Sequence, residues 1–329
     1  MSASRTSLIQ LGIIGTGRIA RKFVNECRDV EGVEFSCAFN PGLTSSKRFC
    51  EETGVPRFSQ NLTELLESVD AVYVASPHDS HVSYIRRALD AGCHVLSEKP
   101  LALTREEVEW AYSQAQDQGL VLVEGIKVAF LPAIRLVEEL VLEGRIGEVV
   151  DVDASFTKLM PDDSPELDAG GVSGAMTWLS SYPLFAISRF LGTSYKKCVF
   201  CSYRNSGETD GFTRGLIEFD HGVGSFRVGF RAKTDGALVI SGTKGYVLVP
   251  APWWNARRVE VHYEDPSVVD VFNCECIGSG LRYELEEFIG LVRGDGHGDS
   301  MLSPEQSGFI AQVIEDYRRS SMVLLGGNQ

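Results

Sequence analysis

The chain has 329 residues, of which 45 are acidic and 31 basic, so its formal net charge is −14. No stretch has more than three consecutive basic residues, which argues against duplex nucleic acid and anionic membrane surfaces as partners, because both attract basic proteins. The hydrophobic share of 43% and the charged share of 23% are typical of a globular protein of roughly two domains.

Neither targeting segments nor cysteine motifs stand out. The first seven residues are polar and lack the apolar stretch of a secretory signal, and no apolar run reaches the ~18–20 residues that cross a bilayer. Eight cysteines are scattered along the chain, and neither Cys198-Val-Phe-Cys201 nor Cys274-Glu-Cys276 completes a zinc or disulfide pattern. We therefore expect a cytoplasmic protein with reduced thiols and no bound metal.

Strands and helices alternate through the first half of the chain. Apolar runs predict strands over 8–14, 33–39, 71–75, 94–97 and 121–124. Between them, helical patterns begin at Ile19 and cover 45–52, 62–68, 82–91 and 104–118. This alternation is typical of βαβ units, so it predicts a doubly wound parallel sheet, that is, a Rossmann domain over residues 1–125.

The pattern changes after about Gly125. Helices are predicted over 132–143 and 175–191, and period-2 alternation predicts strands over 149–156, 197–203, 212–219, 224–230, 237–241 and 246–249. Residues 126–329 are therefore expected to form an α+β domain with a large, mostly antiparallel sheet and helices on one face. Because the other face of such a sheet needs covering, we expect a homodimer or higher homo-oligomer.

A glycine motif follows the first strand. Residues 15–20 read GTGRIA and match GxGxxG/A, with Ala20 small enough for the helix to pack close to the strand. The motif ends a strand and opens a helix, which is the context that a dinucleotide site requires. Gly15, Thr16, Gly17, Arg18 and Ile19 are thus the candidate phosphate-binding residues, with a purely structural turn as the alternative.

The end of the second strand bears on the choice of cofactor. An acidic residue there favours NAD, and a basic neighbour favours NADP. This chain has Asn40, which is neither, while Lys47 and Arg48 fit a solvated helix face better than a phosphate site. The sequence favours NAD(H) slightly, with NADP(H) as the alternative.

Several short segments together carry a family resemblance. Glu98-Lys99-Pro100 follows a predicted strand, residues 76–81 (SPHDSH) end the preceding strand, and residues 144–149 read GRIGEV. With these motifs the chain resembles the Gfo/Idh/MocA family of nicotinamide-dependent oxidoreductases over nearly its whole length. The likeness extends to residues 242–245, 252–254 and 281–284, and it is greatest to the dihydrodiol dehydrogenase and sugar dehydrogenase-like branch.

The resemblance implies roles for the residues near Lys99. It makes Lys99 the catalytic acid/base at the substrate oxygen, with a capping surface lysine as the alternative. Glu98 would orient the loop or the nicotinamide, and Ser76 would approach the cofactor. His81 would also approach the nicotinamide, with a capping or surface role as the alternative. Pro100 would fix the turn, which in this family often contains a cis peptide.

The second catalytic segment departs from the family pattern. Residues 174–183 read GAMTWLSSYP, and Tyr182 falls on the family's His/Tyr position, which implies a second acid/base. Trp178 stands where the family usually has aspartate, and an indole can stack on a substrate ring but cannot accept a proton. The alternative for both Trp178 and Tyr182 is that the side chain only packs in the core.

Three further residues are open in role. Lys127 is either a second cation of the pocket or solvated, and Trp253 and Trp254 either line the substrate cavity or pack at a domain junction. The sequence thus predicts an NAD(P)-dependent dehydrogenase or reductase acting on the secondary alcohol or ketone of a sugar, cyclitol or related polyol. A non-catalytic dinucleotide-binding sensor, and an enzyme that couples two substrates through a permanently bound cofactor, are the alternatives.

Overall fold

The computed structural model describes residues 8–161, 164–167, 172–204, 209–296, 302–320 and 323–325. The chain divides into two compact units. The N-terminal unit comprises Met1–Ala102, Glu106–Lys127 and Gly278–Pro304, and the C-terminal unit comprises Leu103–Arg105, Val128–Ile277 and Glu305–Gln329. The N-terminal unit is therefore assembled from three separate stretches of the chain. None of the helices in the described ranges is long and apolar enough to span a lipid bilayer.

The N-terminal unit is built on a parallel sheet. Its strands are β1 (Ile9–Ile14), β2 (Val33–Phe39), β3 (Phe58–Ser59), β4 (Ala71–Val74), β5 (His94–Glu98) and β6 (Leu122–Gly125). They lie in the order β3-β2-β1-β4-β5-β6, and all pairings are parallel. Every residue of β4 is buried, as expected of a strand with helices on both faces. The predicted doubly wound sheet is confirmed.

Five of the described helices of this unit connect successive strands, and a sixth comes from a later part of the chain. They are α1 (Arg18–Glu26), α2 (Leu43–Thr53), α3 (Leu62–Leu66), α4 (His81–Asp90), α5 (Arg105–Asp117) and, much later in the chain, α9 (Leu281–Arg293). Glu26, at the end of α1, fixes the start of α9: its carboxylate accepts hydrogen bonds from Ser279 N (2.8 Å), Ser279 Oγ (2.6 Å) and Leu281 N (2.9 Å). These bonds join residues more than 250 positions apart in sequence.

The C-terminal unit is built on a second sheet. Its strands are β7 (Val149–Thr157), β8 (Lys197–Arg204), β9 (Asp210–Glu218), β10 (Val223–Gly229), β11 (Leu238–Gly242), β12 (Gly245–Val249), β13 (Arg258–Tyr263), β14 (Val269–Asn273) and β15 (Val323–Leu325). These nine strands lie in the order β14-β13-β12-β11-β7-β10-β9-β8-β15. Only the β7–β10 and β8–β15 pairings are parallel, which confirms the mostly antiparallel sheet.

Helices cover one face of this sheet. They are α6 (Pro132–Leu142), α7 (Ala175–Leu179), α8 (Ser181–Leu191) and α10 (Pro304–Arg319). Phe309 and Tyr317 of α10 meet Tyr195 and Phe200 edge to face, with ring centroids 5.6 and 5.2 Å apart. On the opposite face Val199 and Leu216 are paired across β8 and β9 and are 45% and 48% exposed.

The predicted helix over 175–191 is two helices. The break falls at Ser180, because Pro183 has no N–H to donate to the carbonyl of Leu179 and its ring crowds the preceding turn. Trp178 therefore lies on α7 and Tyr182 on α8, rather than both on one helix. Strands β3, β13, β14 and β15 were not among the predicted strands.

Candidate functional site

The glycine loop between β1 and α1 has two glycines in different situations. Gly15 has φ +100°, and a methyl group on it would lie 2.5 Å from the carbonyl oxygen of Ala75, so the turn requires glycine. Gly17 precedes the first turn of α1 in an extended conformation (φ −77°, ψ −173°), and a methyl group on it would meet nothing within 4 Å. Its backbone borders open space at a helix N-terminus, which fits the approach of a pyrophosphate.

The other motif residues hold the loop or begin the helix. Thr16 is buried, and its hydroxyl lies 2.6 Å from Ser45 Oγ, while its carbonyl accepts a 2.5 Å hydrogen bond from Arg21. Arg18 is exposed at the start of α1, and Ile19 is half-buried. Within the N-terminal unit these residues lie where the carboxyl ends of the parallel strands meet.

Asn40 follows β2 at the same edge of the sheet. Its Oδ1 accepts a hydrogen bond from Gly42 N (2.8 Å), so the side chain shapes its own turn. Two guanidinium groups on the flanking helices α1 and α2 are occupied: Arg21 and Arg48 both pair with Glu52, at 2.5 and 2.6 Å. These carboxylate contacts hold the two cations on the surface of α1 and α2.

His81 connects two loops at this edge. It is fully buried, with Nδ1 2.9 Å from the carbonyl oxygen of Pro100 and Nε2 3.0 Å from that of Ser76. Burial lowers the pKa of His81 below its ordinary value, and a neutral imidazole donates to only one of these two oxygens. The ring thereby ties the loop after β4 to the turn that carries Lys99. Ser76 is half-buried, and its hydroxyl accepts a 2.8 Å hydrogen bond from Ser80.

Lys99 stands on a cis turn at the end of β5. The Lys99–Pro100 peptide is cis, as the family resemblance implied. The side chain is half-buried, and burial lowers the pKa of its ammonium, while the carboxyls of Glu98, Glu124 and Glu284 act in the opposite direction. A lysine whose pKa is moved towards neutrality can both give and take a proton.

Glu98 is buried beside Lys99. It is 8% exposed, and its Oε1 accepts a 2.5 Å hydrogen bond from the phenol of Tyr73 on β4. Burial raises the pKa of Glu98, whereas Lys99, the Tyr73 hydrogen bond and Lys127 lower it. The same environment raises the pKa of the Tyr73 phenol well above its ordinary value, because the phenol is buried next to a carboxyl.

Lys127 ends the second stretch of the N-terminal unit. It is 6% exposed, and its ammonium donates a hydrogen bond to the carbonyl oxygen of Ser279, just before α9. The alternative of a solvated lysine is therefore excluded. Sequence reasoning assigned no role to Glu284, the buried carboxyl on α9, although it falls inside the C-terminal segment that resembles the family.

In the C-terminal unit three aromatic rings form a cluster, in which two rings are stacked and the third is tilted by 43°. The Tyr182 ring lies 5.2 Å from that of Phe156 with an interplanar angle of 15°, and the Phe156 ring lies 4.4 Å from that of Trp254. Tyr182 is 8% exposed, whereas Phe156 and Trp254 are half-buried. Lys233 Nζ lies 5.8 Å from the Trp254 ring. This aromatic cluster combines a phenol with flat apolar surface.

Trp253 and Trp178, also in the C-terminal unit, differ in burial. Trp253 is fully buried and its indole N–H donates to the carbonyl oxygen of Ser155 (2.9 Å), so it packs in the core. Trp178 is half-buried on α7. The N-terminus of α7 is held by Asp210, whose Oδ2 accepts a hydrogen bond from Met176 N (2.9 Å).

Two family models match the chain. Residues 9–126 match the GFO/IDH/MocA model described as "Oxidoreductase family, NAD-binding Rossmann fold", and residues 134–248 match the "GFO/IDH/MocA C-terminal domain". Together they cover well over half of the chain.

Two similar proteins match this chain, one over nearly its full length and one over just more than half of it. Trans-1,2-dihydrobenzene-1,2-diol dehydrogenase from Bos taurus is 24% identical over 324 residues, which is 95% of this chain and 96% of that protein. The dTDP-3,4-didehydro-2,6-dideoxy-alpha-D-glucose 3-reductase of Actinomadura kijaniata is 36% identical over 190 residues, or 56% of each chain.

The same fold occurs in solved structures. A 3-ketoreductase from Actinomadura kijaniata, in complex with NADP and TDP-benzene, superimposes with a TM-score of 0.84 at 24% identity, covering 97% of this chain and all of that one. That reductase has also been solved with a lysine replaced by alanine and with a tyrosine replaced by phenylalanine. With both halves matched by the family models, the chain belongs to the Gfo/Idh/MocA family of NAD(P)-dependent oxidoreductases, enzymes that act on CH–OH groups.

Proposed function

We propose that this enzyme moves a hydride between a nicotinamide dinucleotide and the secondary alcohol or ketone of a sugar, cyclitol or related polyol, with Lys99 as the acid/base at the substrate oxygen. The observation that carries this proposal is Lys99 itself, half-buried on the cis turn after β5, with its pKa lowered by burial. The named relatives act on dihydrodiols and on deoxysugar ketones, which supports a carbinol carbon on a six-membered ring.

The chain's own residues divide the work. When bound, the nicotinamide supplies or accepts the hydride. In the direction of reduction the Lys99 ammonium gives a proton to the oxygen that becomes a hydroxyl; in oxidation the neutral amine takes that proton. Glu98 and Tyr73 fix the base of the turn through their 2.5 Å hydrogen bond, and His81 ties it to Ser76. Gly15 and Gly17, with Thr16, Arg18 and Ile19, hold the pyrophosphate.

Tyr182 is proposed as a second acid/base. Its phenol can donate or accept a proton at the substrate oxygen. The A. kijaniata reductase has been solved with a lysine and with a tyrosine replaced, and these are the two residue types that we assign here. Stacking on Phe156 fixes the Tyr182 ring plane and therefore the direction of its hydroxyl.

Trp254 and Trp178 are proposed to contact the substrate ring. Both are half-buried, so each has indole surface available for the apolar face of a sugar or arene. Lys127, the third substrate candidate, is buried against Ser279. We propose that its part is to hold the buried charges near Lys99 rather than to touch the substrate.

NAD(H) is proposed as the preferred cofactor. The support is that Arg21 and Arg48 are already paired with Glu52, which leaves their charge less available to a 2′-phosphate. The NADP bound in the A. kijaniata reductase favours NADP(H) as the second candidate. Comparing kcat/KM for NADH and NADPH decides between them, and equal values would overturn the preference.

A cytoplasmic homodimer is proposed as the working form. All eight cysteines are free thiols, as a reducing compartment maintains them. The outward face of the second sheet presents Val199, Tyr203 and Leu216 at 43–48% exposure, a patch suited to a second copy. Sedimentation should give a dimer for the parent and a monomer for Leu216→Arg; a monomeric parent would exclude the interface.

The test of the reaction uses variants of Lys99. A panel of polyols, dihydrodiols and cyclic ketones identifies the turnover to be followed. Lys99→Ala should then lower kcat by about 10²–10⁴-fold while the dinucleotide Kd changes little. Lys196→Ala is the matched control, because that lysine is exposed and its ammonium pairs with Asp220 (2.8 Å). Unchanged kcat in Lys99→Ala would refute the role, and dinucleotide binding without any turnover would favour the sensor.

A further inference from the structure

Behind the Lys99 turn lies a cluster of buried ionisable groups. Glu98 is 8% exposed, Glu124 1%, Lys127 6% and Glu284 0%. With Lys99 these make three carboxyls and two ammonium groups. Two ammonium charges can balance two carboxylates, which leaves one carboxyl without a counter-charge. The question is which of the three carries the proton.

Hydrogen bonding separates the three carboxyls. Glu98 accepts from the Tyr73 phenol at 2.5 Å, and Glu124 Oε1 accepts from Leu101 N at 3.0 Å. In the described part of the chain, neither carboxyl oxygen of Glu284 has a hydrogen-bond donor, although both are inaccessible to solvent. A buried carboxylate that accepts nothing is the costliest to ionise, so Glu284 is the group that stays neutral.

The position of Glu284 ties it to the Lys99 turn. It lies in the first turn of α9, and Glu98 is the strand partner of Gly125 across β5 and β6. A methyl group on Gly125 would lie 3.6 Å from Glu284 Oε2 and 3.7 Å from Glu98 Cα, so little more than the glycine separates the two carboxyl-bearing segments. Lys127, whose charge lowers the pKa of Glu284, donates a hydrogen bond to the carbonyl oxygen of Ser279.

We propose that Glu284 is a positioning residue for the reaction: a buried carboxylic acid that is neutral at neutral pH and, on ionising, holds the proton on Lys99. This proposal rests on the proposed role of Lys99. Burial and the neighbouring Glu98 raise the pKa of Glu284 well above the ordinary carboxyl range, with Lys127 opposing. The Glu284 charge in turn raises the pKa of Lys99. As pH rises, Glu284 loses its proton and the new carboxylate keeps Lys99 charged to higher pH.

Other charges face Glu284 from the elements packed around it. They come from α1, β4, β5 and the turn after β6, and they are Lys22, Glu26, Cys27, Tyr73, Glu98, Lys99 and Lys127. Of these, Cys27 and Tyr73 stay protonated through the neutral range, because burial raises the pKa of both. The titration attributed to Glu284 must therefore disappear when Glu284 alone is changed.

The experiment measures the pKa of Lys99 without any substrate. Competitive acylation of the intact protein, followed by mass spectrometry of the Lys99 peptide, gives its titration across the neutral and alkaline range. In Glu284→Gln the pKa of Lys99 should fall by about one unit, a tenfold loss of proton affinity. Glu286→Gln is the matched control, because that residue is exposed on the same helix and paired with Arg282. The alkaline limb of kcat for reduction should move by the same amount.

Two results would overturn the proposal. One is a Lys99 titration in Glu284→Gln that stays within about 0.3 unit of the parent. The other is an infrared spectrum of the parent at neutral pH without a protonated-carboxyl band, a measurement that needs no variant. Should the glutamine variant fail to fold, Glu284→Leu replaces it, because an apolar side chain suits a buried site. Failure of the proposed function is seen separately, as unchanged turnover in Lys99→Ala.

Discussion

Replacing Gly17 by alanine should separate cofactor binding from folding. Gly17 has an extended backbone that any residue adopts, and a methyl group there meets nothing within 4 Å. The free energy of unfolding should therefore change by no more than about 0.5 kcal/mol, which is within about 2 °C in Tm. The thermal stability of the cofactor-free protein should therefore be nearly the same in Gly17→Ala and in the parent.

The affinity for the dinucleotide should fall strongly in Gly17→Ala. The open space beside Gly17 is where the pyrophosphate must approach the backbone, and a methyl group pushes it away from the N–H groups at the start of α1. A hydrogen bond to a charged group contributes about 1.5–3 kcal/mol, and about 1.4 kcal/mol is tenfold in Kd. Gly17→Ala should thus weaken NAD(P)H binding by about 10–100-fold.

Gly15→Ala supplies the contrast. Its φ of +100° is strained for alanine, and the added methyl would lie 2.5 Å from the Ala75 carbonyl oxygen. Backbone strain of about 1–2 kcal/mol and overpacking of about 1–3 kcal/mol together should lower Tm by about 4–15 °C. Gly308→Ala is the control, since a methyl group on that helical glycine would have its nearest neighbour at 3.9 Å; Tm should not fall and Kd should not rise.

Fluorescence titration with NADH and NADPH measures Kd, and a thermal melt of the cofactor-free protein measures Tm. A Gly17→Ala protein that binds both dinucleotides with the parent Kd would refute the assignment of the glycine loop. A Gly17→Ala protein that melts as early as Gly15→Ala would refute the packing argument instead. The two glycines therefore test two independent claims about one loop.

Three further predictions concern single side chains. Burial lowers the pKa of Lys99 in the folded protein, so between this pKa and the ordinary lysine pKa the unfolded chain binds more protons and stability rises with pH. Lys99→Met should therefore raise Tm more at pH 7 than near pH 10. An equal gain in Tm at both pH values would contradict this argument. Asp210→Ala removes the acceptor of Met176 N and should cost about 1–2 kcal/mol by urea unfolding, with Asp210→Asn losing less; equal losses would deny the charge a role. Tyr73→Phe should cost about 1–3 kcal/mol and, because Glu98 then has a still higher pKa, cost more as pH rises; a pH-independent loss would contradict the coupling.

The parallel sheet was predictable because its signal is local. Each strand of the Rossmann unit is a short apolar run, and the glycine motif sits between a strand and a helix. Strand β13 carried a signal that was missed: Val259 and Val261 alternate with polar residues, and both are fully buried. The break at Ser180 was also visible, since Pro183 stands where a helix needs an N–H.

The site was predictable only in part. Lys99 and the glycine loop belong to short motifs, so sequence reasoning reaches them. The burial of Glu284 cannot be predicted from the sequence, because Glu284 is one acidic residue among several on an amphipathic helix. Its environment is made by residues far away in the chain, such as Glu98 and Lys127, and long-range contacts of this kind leave no local pattern.

The three-part make-up of the N-terminal unit has a consequence during synthesis. Its second stretch ends at Lys127 and its third ends at Pro304, so 304 − 127 = 177 residues must be translated before the unit is whole. At about 5–20 residues per second, that wait lasts roughly 9–35 s. For this time the nascent parallel sheet lacks α9, and the carboxylate of Glu26 lacks Ser279 and Leu281. The N-terminal unit, to which we assign the cofactor, is thus begun first during translation but is among the last parts of the protein to be completed.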